Sequence, residues 1–208
     1  MKRSSIVSLT MEPKKRIPDL LRRALLGALL HAVFAAGNIL IGVLESSWWF
    51  LTAGIYYAVL GIARLILLAR KNRASEAFFG RFTGRMLMLT SLPLLGTAIL
   101  CSVRDVGTKF HEIVMISMAL YAFSKVTLAI LHLVKANKET SPIAPSLRGI
   151  ALADALVSIA SLQRSMLVSF GEMSAEEIRL FNALTSIGVS LLIFLLGAYF
   201  LKKTNRNT

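Results

Sequence analysis

Six stretches of the chain carry almost no charge, and short clusters of lysine and arginine separate them. They run over Ala24–Leu44, Trp48–Ala69, Met86–Val103, Ile113–Val134, Ile150–Phe170 and Leu180–Leu201. A helix needs about 20 apolar residues to cross the hydrocarbon core of a bilayer. Inside that core every backbone polar group must be satisfied within the segment itself, which a helix achieves. A soluble domain of 208 residues keeps enough polar surface to cover its core; at 55% hydrophobic residues and a mean hydropathy of +0.66, this chain does not. The expected fold is therefore all-α: a polytopic membrane protein, a bundle of six transmembrane helices. Residues 1–23 form a cytoplasmic tail, 24–201 the transmembrane domain and 202–208 a second cytoplasmic tail.

Local signals punctuate this plan. Glu45–Ser47 is a minimal turn between the first two spans, and Trp48 and Trp49 behind it suit a membrane interface. Pro93 is expected to kink the third span, and Pro142 and Pro145 to mark the loop before the fifth. Ser174 and Glu177 have the spacing of a capping box opening the sixth helix. The first twenty residues lack the apolar run of a signal peptide and read as a cytosolic tail with some amphipathic character.

Charge orients the spans. Lys2, Arg3, Lys14, Lys15, Arg16, Arg22 and Arg23 precede the first; Arg70, Lys71, Arg73, Arg81 and Arg85 join the second and third. Lys135, Lys138 and Arg148 join the fourth and fifth, and Lys202, Lys203 and Arg206 follow the sixth. The opposite side holds Arg104, Lys109 and Arg179 among the acids Glu45, Asp105, Glu112, Glu172, Glu176 and Glu177. Basic residues stay in the cytoplasm, so both termini are expected there, with the cell membrane as location. The net charge of +13 then answers to anionic lipid headgroups, and no nucleic-acid partner is expected. A homodimer is compatible with this surface. A single cysteine, Cys101, excludes an internal disulfide and a thiolate metal cluster.

Ionisable groups inside a span are costly and mark function or a buried partner. Arg64, Lys125, Asp154 and Arg164 lie well within spans, with His31, Asn38, His132 and Gln163. At helical periodicity Gly27, His31, Ala35, Asn38 and Gly42 share a stripe on the first span, and Ala53, Tyr57, Gly61 and Arg64 on the second. Tyr121, Lys125 and His132 align on the fourth; Asp154, Ser158, Ser161, Ser165 and Ser169 align on the fifth, with Arg164 at the edge. Span three carries no such stripe and span six only the mild series Asn182, Ser186 and Ser190, so both are expected at the periphery. Serines at such spacing serve as packing glue between helices or line a solute path. Arg64 is near enough to the cytosol to snorkel, and His31 and His132 suit interhelical hydrogen bonds better than metal. Lys125 is too central to snorkel easily; Asp154 is its natural partner, with Arg64 and His132 as competitors for the carboxylate.

The run Asn38-Ile-Leu-Ile-Gly-Val-Leu-Glu-Ser-Ser-Trp-Trp-Phe-Leu-Thr-Ala-Gly54 resembles the first-to-second span passage of cation diffusion facilitators. Leu152-Ala-Asp-Ala-Leu-Val-Ser-Ile-Ala-Ser161 is similar to that family's fifth-span pattern. The resemblance implies a six-span bundle with cytoplasmic ends. The family's fifth-span His and Asp ligand positions match Val157 and Ser161 here, and the second span has no carboxylate, so no metal site is implied. The chain also resembles small uncharacterised bacterial six-span membrane proteins.

Ala53 and Arg64 recur one hundred residues later as Ala153 and Arg164, as two inverted three-helix halves would allow. No nucleophile–base pair, phosphate-binding loop or cofactor motif is present, so neither an enzyme nor a cofactor is expected. The expected function is a small secondary transporter or exchanger of an anionic, zwitterionic or proton-coupled solute, the alternative a non-transporting assembly or regulatory subunit. The candidate path residues are His31, Asn38, Arg64, Tyr121, Lys125, His132, Asp154, Ser158, Ser161 and Arg164.

Overall fold

A computed structural model describes residues 13–104, 109, 111–134, 143–170 and 172–206. Six helices account for nearly all of them: α1 (Pro13–Leu44), α2 (Trp48–Ala69), α3 (Glu76–Arg104), α4 (Glu112–Val134), α5 (Ala144–Phe170) and α6 (Ala175–Arg206). Five stretches, in all the helices except α3, are long and apolar enough to cross a membrane: Leu25–Leu44, Trp48–Ala69, Glu112–Leu131, Ala144–Phe170 and Ala175–Arg206. The outward faces match that chemistry, with Leu29, Leu40, Ile113 and Leu120 all exposed. The expected third span, Met86–Val103, lies inside α3 and ends among residues whose side chains are not described.

Helix ends follow local rules. Pro13 stands at the first position of α1, where a missing N–H is harmless, and the helix continues unbroken into the first apolar stretch. Pro145 falls in the first turn of α5 for the same reason, and not in the loop expected of it; Pro142 lies outside the described residues. The α1–α2 turn closes with the chain reversing through Ser46 at φ 50°. Ser47 N–H donates to the Gly42 carbonyl at 3.0 Å and Ser46 N–H to Val43 at 3.5 Å. This is the glycine-favouring helix stop, with serine in the left-handed position. At α6 the capping box is present: Ser174 N–H and Oγ each contact Glu177 Oε2, at 2.9 and 2.8 Å.

The helices pack in an order that the polar stripes did not announce. α3 and α6 form the most extensive contact; α5 lies against both, α2 lies against α3, and α2 and α5 touch each other. α1 packs chiefly on α2, and α4 chiefly on α5. The peripheral helices are therefore α1 and α4, not α3 and α6. The cause is backbone approach: a Cβ added at Gly84 would meet the Gly197 carbonyl oxygen at 2.8 Å, and one at Gly197 would meet the Gly84 carbonyl at 2.8 Å. Two helices that touch through glycine bring their backbones close and gain dispersion along the contact. Pairing in the first three helices (α1 on α2, α2 on α3) repeats in the last three (α4 on α5, α5 on α6). The main core, from Tyr56, Tyr57, Leu60, Phe79 and Leu87 to Ile150, Val157 and Ile193, fills the centre of α2, α3, α5 and α6.

Candidate functional site

Asp154 on α5 is the centre of the charged cluster. It is buried, and its two carboxylate oxygens face different helices. Lys125 of α4 donates from Nζ to Oδ1 at 2.7 Å, while His31 Nε2 of α1 sits 3.0 Å from Oδ2, within ion-pairing distance but off the line of a ring N–H bond. A second donation from Lys125 reaches Ser158 Oγ at 3.1 Å. Ser158 lies one turn along α5; its hydroxyl donates back to the Asp154 carbonyl at 2.9 Å and meets Tyr57 OH of α2 at 3.2 Å. Four helices thus converge on one carboxylate and one serine.

The lysine head group is also enclosed by rings. Nζ lies 5.1 Å from the centroid of Phe34, 4.9 Å from Tyr57 and 4.4 Å from Tyr121. These rings come from α1, α2 and α4, and Phe34 stacks on Tyr121 at 4.3 Å. An ammonium held over aromatic faces gains about 0.5–2 kcal/mol per favourable contact, most where water is excluded. The cage shares the desolvation cost of the charge with Asp154. Without both, an ammonium in an apolar interior would cost several kcal/mol.

The remaining expected residues divide around this cluster. Tyr121 and Ser158 belong to it, as above. Arg64 is half-buried; its guanidinium lies over Gly27 of α1, so closely that a Cβ there would overlap Nη1. Its Nε is buried with no hydrogen-bond partner among the described residues. Asn38 is not in the cluster, because its Nδ2 donates to the Phe34 carbonyl of its own helix at 2.8 Å. The half-buried Ser161 has a buried Oγ without a partner among the described residues. Arg164 is buried ten positions beyond Asp154, about 15 Å along α5. Its guanidinium lies 5.5 Å from the Trp49 ring, in a separate environment. The side chain of His132 lies outside the described residues.

The sequence reading did not single out Phe34, and it placed Tyr57 on a stripe without a role. Both stand at helical spacing from polar neighbours, Phe34 three residues after His31 and Tyr57 seven before Arg64, and that shared face was the available signal. Among the described residues no three His, Cys, Asp or Glu side chains converge as metal ligands would. The arrangement is a buried carboxylate paired to an ammonium that three rings enclose. Comparisons with protein families, curated proteins and solved structures return no match.

Proposed function

We propose that the chain is a small multi-pass secondary transporter of the cell membrane, with both termini cytoplasmic and its six helices spanning as two inverted three-helix halves. The repeated pairing of α1–α3 in α4–α6 supports the inverted plan, in which a central site forms between repeats. One observation carries the functional reading: Lys125, Asp154, His31, Ser158 and Tyr57 bring four helices to one charged centre inside an apolar protein. A chain needing only packing has cheaper glue in small residues, as the glycines of its α3–α6 seam display. Asp154 and His31 are the groups that take up and release a proton, and Lys125 is the resident counter-ion that a zwitterionic or proton-coupled solute disturbs. On this reading the likeness to cation diffusion facilitators carries no metal chemistry, since Val157 and Ser161 stand at the ligand positions.

Water access separates this from the alternative, a non-transporting subunit whose polar groups only hold helices together. In a Cys101→Ser background, Ser158→Cys and Ser161→Cys are treated with a membrane-impermeant charged thiosulfonate, beside Leu120→Cys on the exposed face. A transport path predicts labelling at the serine positions and little at Leu120. Serine positions as inert as Leu120 would favour the subunit.

A further inference from the structure

The ammonium of Lys125 occupies a fully furnished cation site to which it is attached only by its own flexible stem. Nζ has three N–H groups. Two are met by Asp154 Oδ1 at 2.7 Å and Ser158 Oγ at 3.1 Å, and the rings of Phe34, Tyr57 and Tyr121 surround the remainder at 4.4–5.1 Å. Phe34 and Tyr57 belong to helices other than α4, as do Asp154 and Ser158. Only Tyr121 travels with the lysine, four residues before it on the same face. Four of the five groups therefore stay in place when Lys125 withdraws. Withdrawal involves a peripheral helix that packs chiefly on α5, so the main core need not open.

We propose that this is a binding site for a primary alkylammonium, either a simple amine or the amino end of a zwitterion, and that Lys125 is its displaceable internal occupant. The proposal deepens the transporter reading and rests on it for biological meaning. Asp154 provides the single carboxylate, already faced by His31 at 3.0 Å. A second ammonium at the same carboxylate oxygen would meet the like charge of Lys125 in a medium of low dielectric. Solute ammonium and Lys125 ammonium are thus mutually exclusive, and arrival of one expels the other. That competition couples solute binding to movement of α4.

The chemistry specifies which cations fit. An ion with N–H groups satisfies both Asp154 and Ser158; tetramethylammonium satisfies the rings but donates nothing, leaving the two oxygens without their donor. Sodium and potassium have no apolar surface for the rings and are more strongly hydrated. Arg64, whose buried Nε lacks a partner among the described residues, is a candidate for a carboxylate on the same solute.

The test vacates the site in the full-length protein. Lys125→Ala in detergent is titrated with methylammonium chloride at constant ionic strength, with sodium chloride and tetramethylammonium chloride as matched controls, following thermal unfolding. We expect saturable stabilisation by methylammonium, with apparent affinity about tenfold or more above tetramethylammonium, as one lost charge-assisted hydrogen bond implies. Wild type should respond far more weakly, because Lys125 competes. Lys125→Ala/Asp154→Asn should not respond. Equal shifts with sodium, or none in Lys125→Ala, overturn the site. If Lys125→Ala fails to fold alone, it is purified in methylammonium: recovery there but not in sodium supports the site. Failure in both, with the double variant folded, overturns it. Cysteine labelling at Ser158 and Ser161 reports separately on transport. Methylammonium binding without labelling retains the cation site and discards the transporter, whereas labelling without binding does the reverse.

Discussion

The Lys125–Asp154 pair makes a quantitative prediction about stability. Lys125→Met keeps an unbranched stem of similar length and removes the charge, leaving Asp154 with the His31 imidazole at 3.0 Å as its remaining close partner. Breaking a buried pair on one side costs about 3–5 kcal/mol, and the His31 contact places this variant near the lower end, about 3 kcal/mol. Asp154→Asn keeps the shape and strands the ammonium, which three rings and Ser158 still hold. Its expected cost is about 2–3 kcal/mol. If the two residues acted independently, the double variant would lose about 5–6 kcal/mol. Because each single loss is mostly the penalty of an orphaned charge, Lys125→Met/Asp154→Asn should lose only about 2–3 kcal/mol. The coupling of about 2–3 kcal/mol is measurable by equilibrium unfolding in mixed micelles with all four proteins. Additivity within about 0.5 kcal/mol would refute the reasoning, because two residues 2.7 Å apart that bear each other's desolvation cannot be independent.

Three further outcomes follow from the fold. Gly197→Ala pushes a methyl against the Gly84 carbonyl and Met88, and should destabilise by about 1–3 kcal/mol in the same assay; a neutral effect would mean that α3 and α6 do not touch there. Ser46→Gly relieves a left-handed backbone at φ 50° and should stabilise by about 0.5–1 kcal/mol, whereas a loss would contradict the turn. At the start of α6, the Ser174 backbone N–H, then its hydroxyl, hold the Glu177 carboxyl below the usual glutamate range. A depressed folded value means that this cap contributes above the ordinary glutamate range and is lost as pH falls through the lowered value. Hydrogen exchange at Glu177 and Ile178, corrected for intrinsic rates, should accelerate across that acid window in wild type and show no such step in Glu177→Gln.

The bounds of α2 were legible to the residue, because Ser47 and Arg70 stop the apolar run where they also stop the helix. α1 begins at Pro13, well before its apolar stretch, since hydropathy reports contact with lipid and carries no information on where a helix starts. Lys125 and Asp154 could be matched from the sequence because a lone charge in an apolar setting needs a partner. Phe34 left only its shared face with His31 as a signal, because an apolar ring in an apolar helix costs nothing wherever it points. The same logic explains the misplaced periphery. A polar stripe signals that a face is sheltered, but the close approach of α3 and α6 runs through Gly84 and Gly197, which leave no trace in a polarity pattern. The buried series Asn182, Ser186 and Ser190 on α6 is a mild stripe. Asn38 shows the opposite error, a polar residue on the expected stripe that spends its amide on its own helix.

That seam also bears on how the chain is made. The α1–α2 and α4–α5 contacts join neighbours in the chain, so each hairpin can assemble as soon as its second helix has left the ribosome. The most extensive contact, between α3 and α6, joins segments separated by two whole helices. Throughout synthesis of α4 and α5, the groove of α3 around Gly80 and Gly84 therefore has no partner. A chain halted before α6 would leave that small-residue groove open to other nascent helices. Such a vacant surface is what membrane chaperones and proteases inspect, so truncations after Phe170 should be degraded even though the charged centre built by α1, α2, α4 and α5 is already complete.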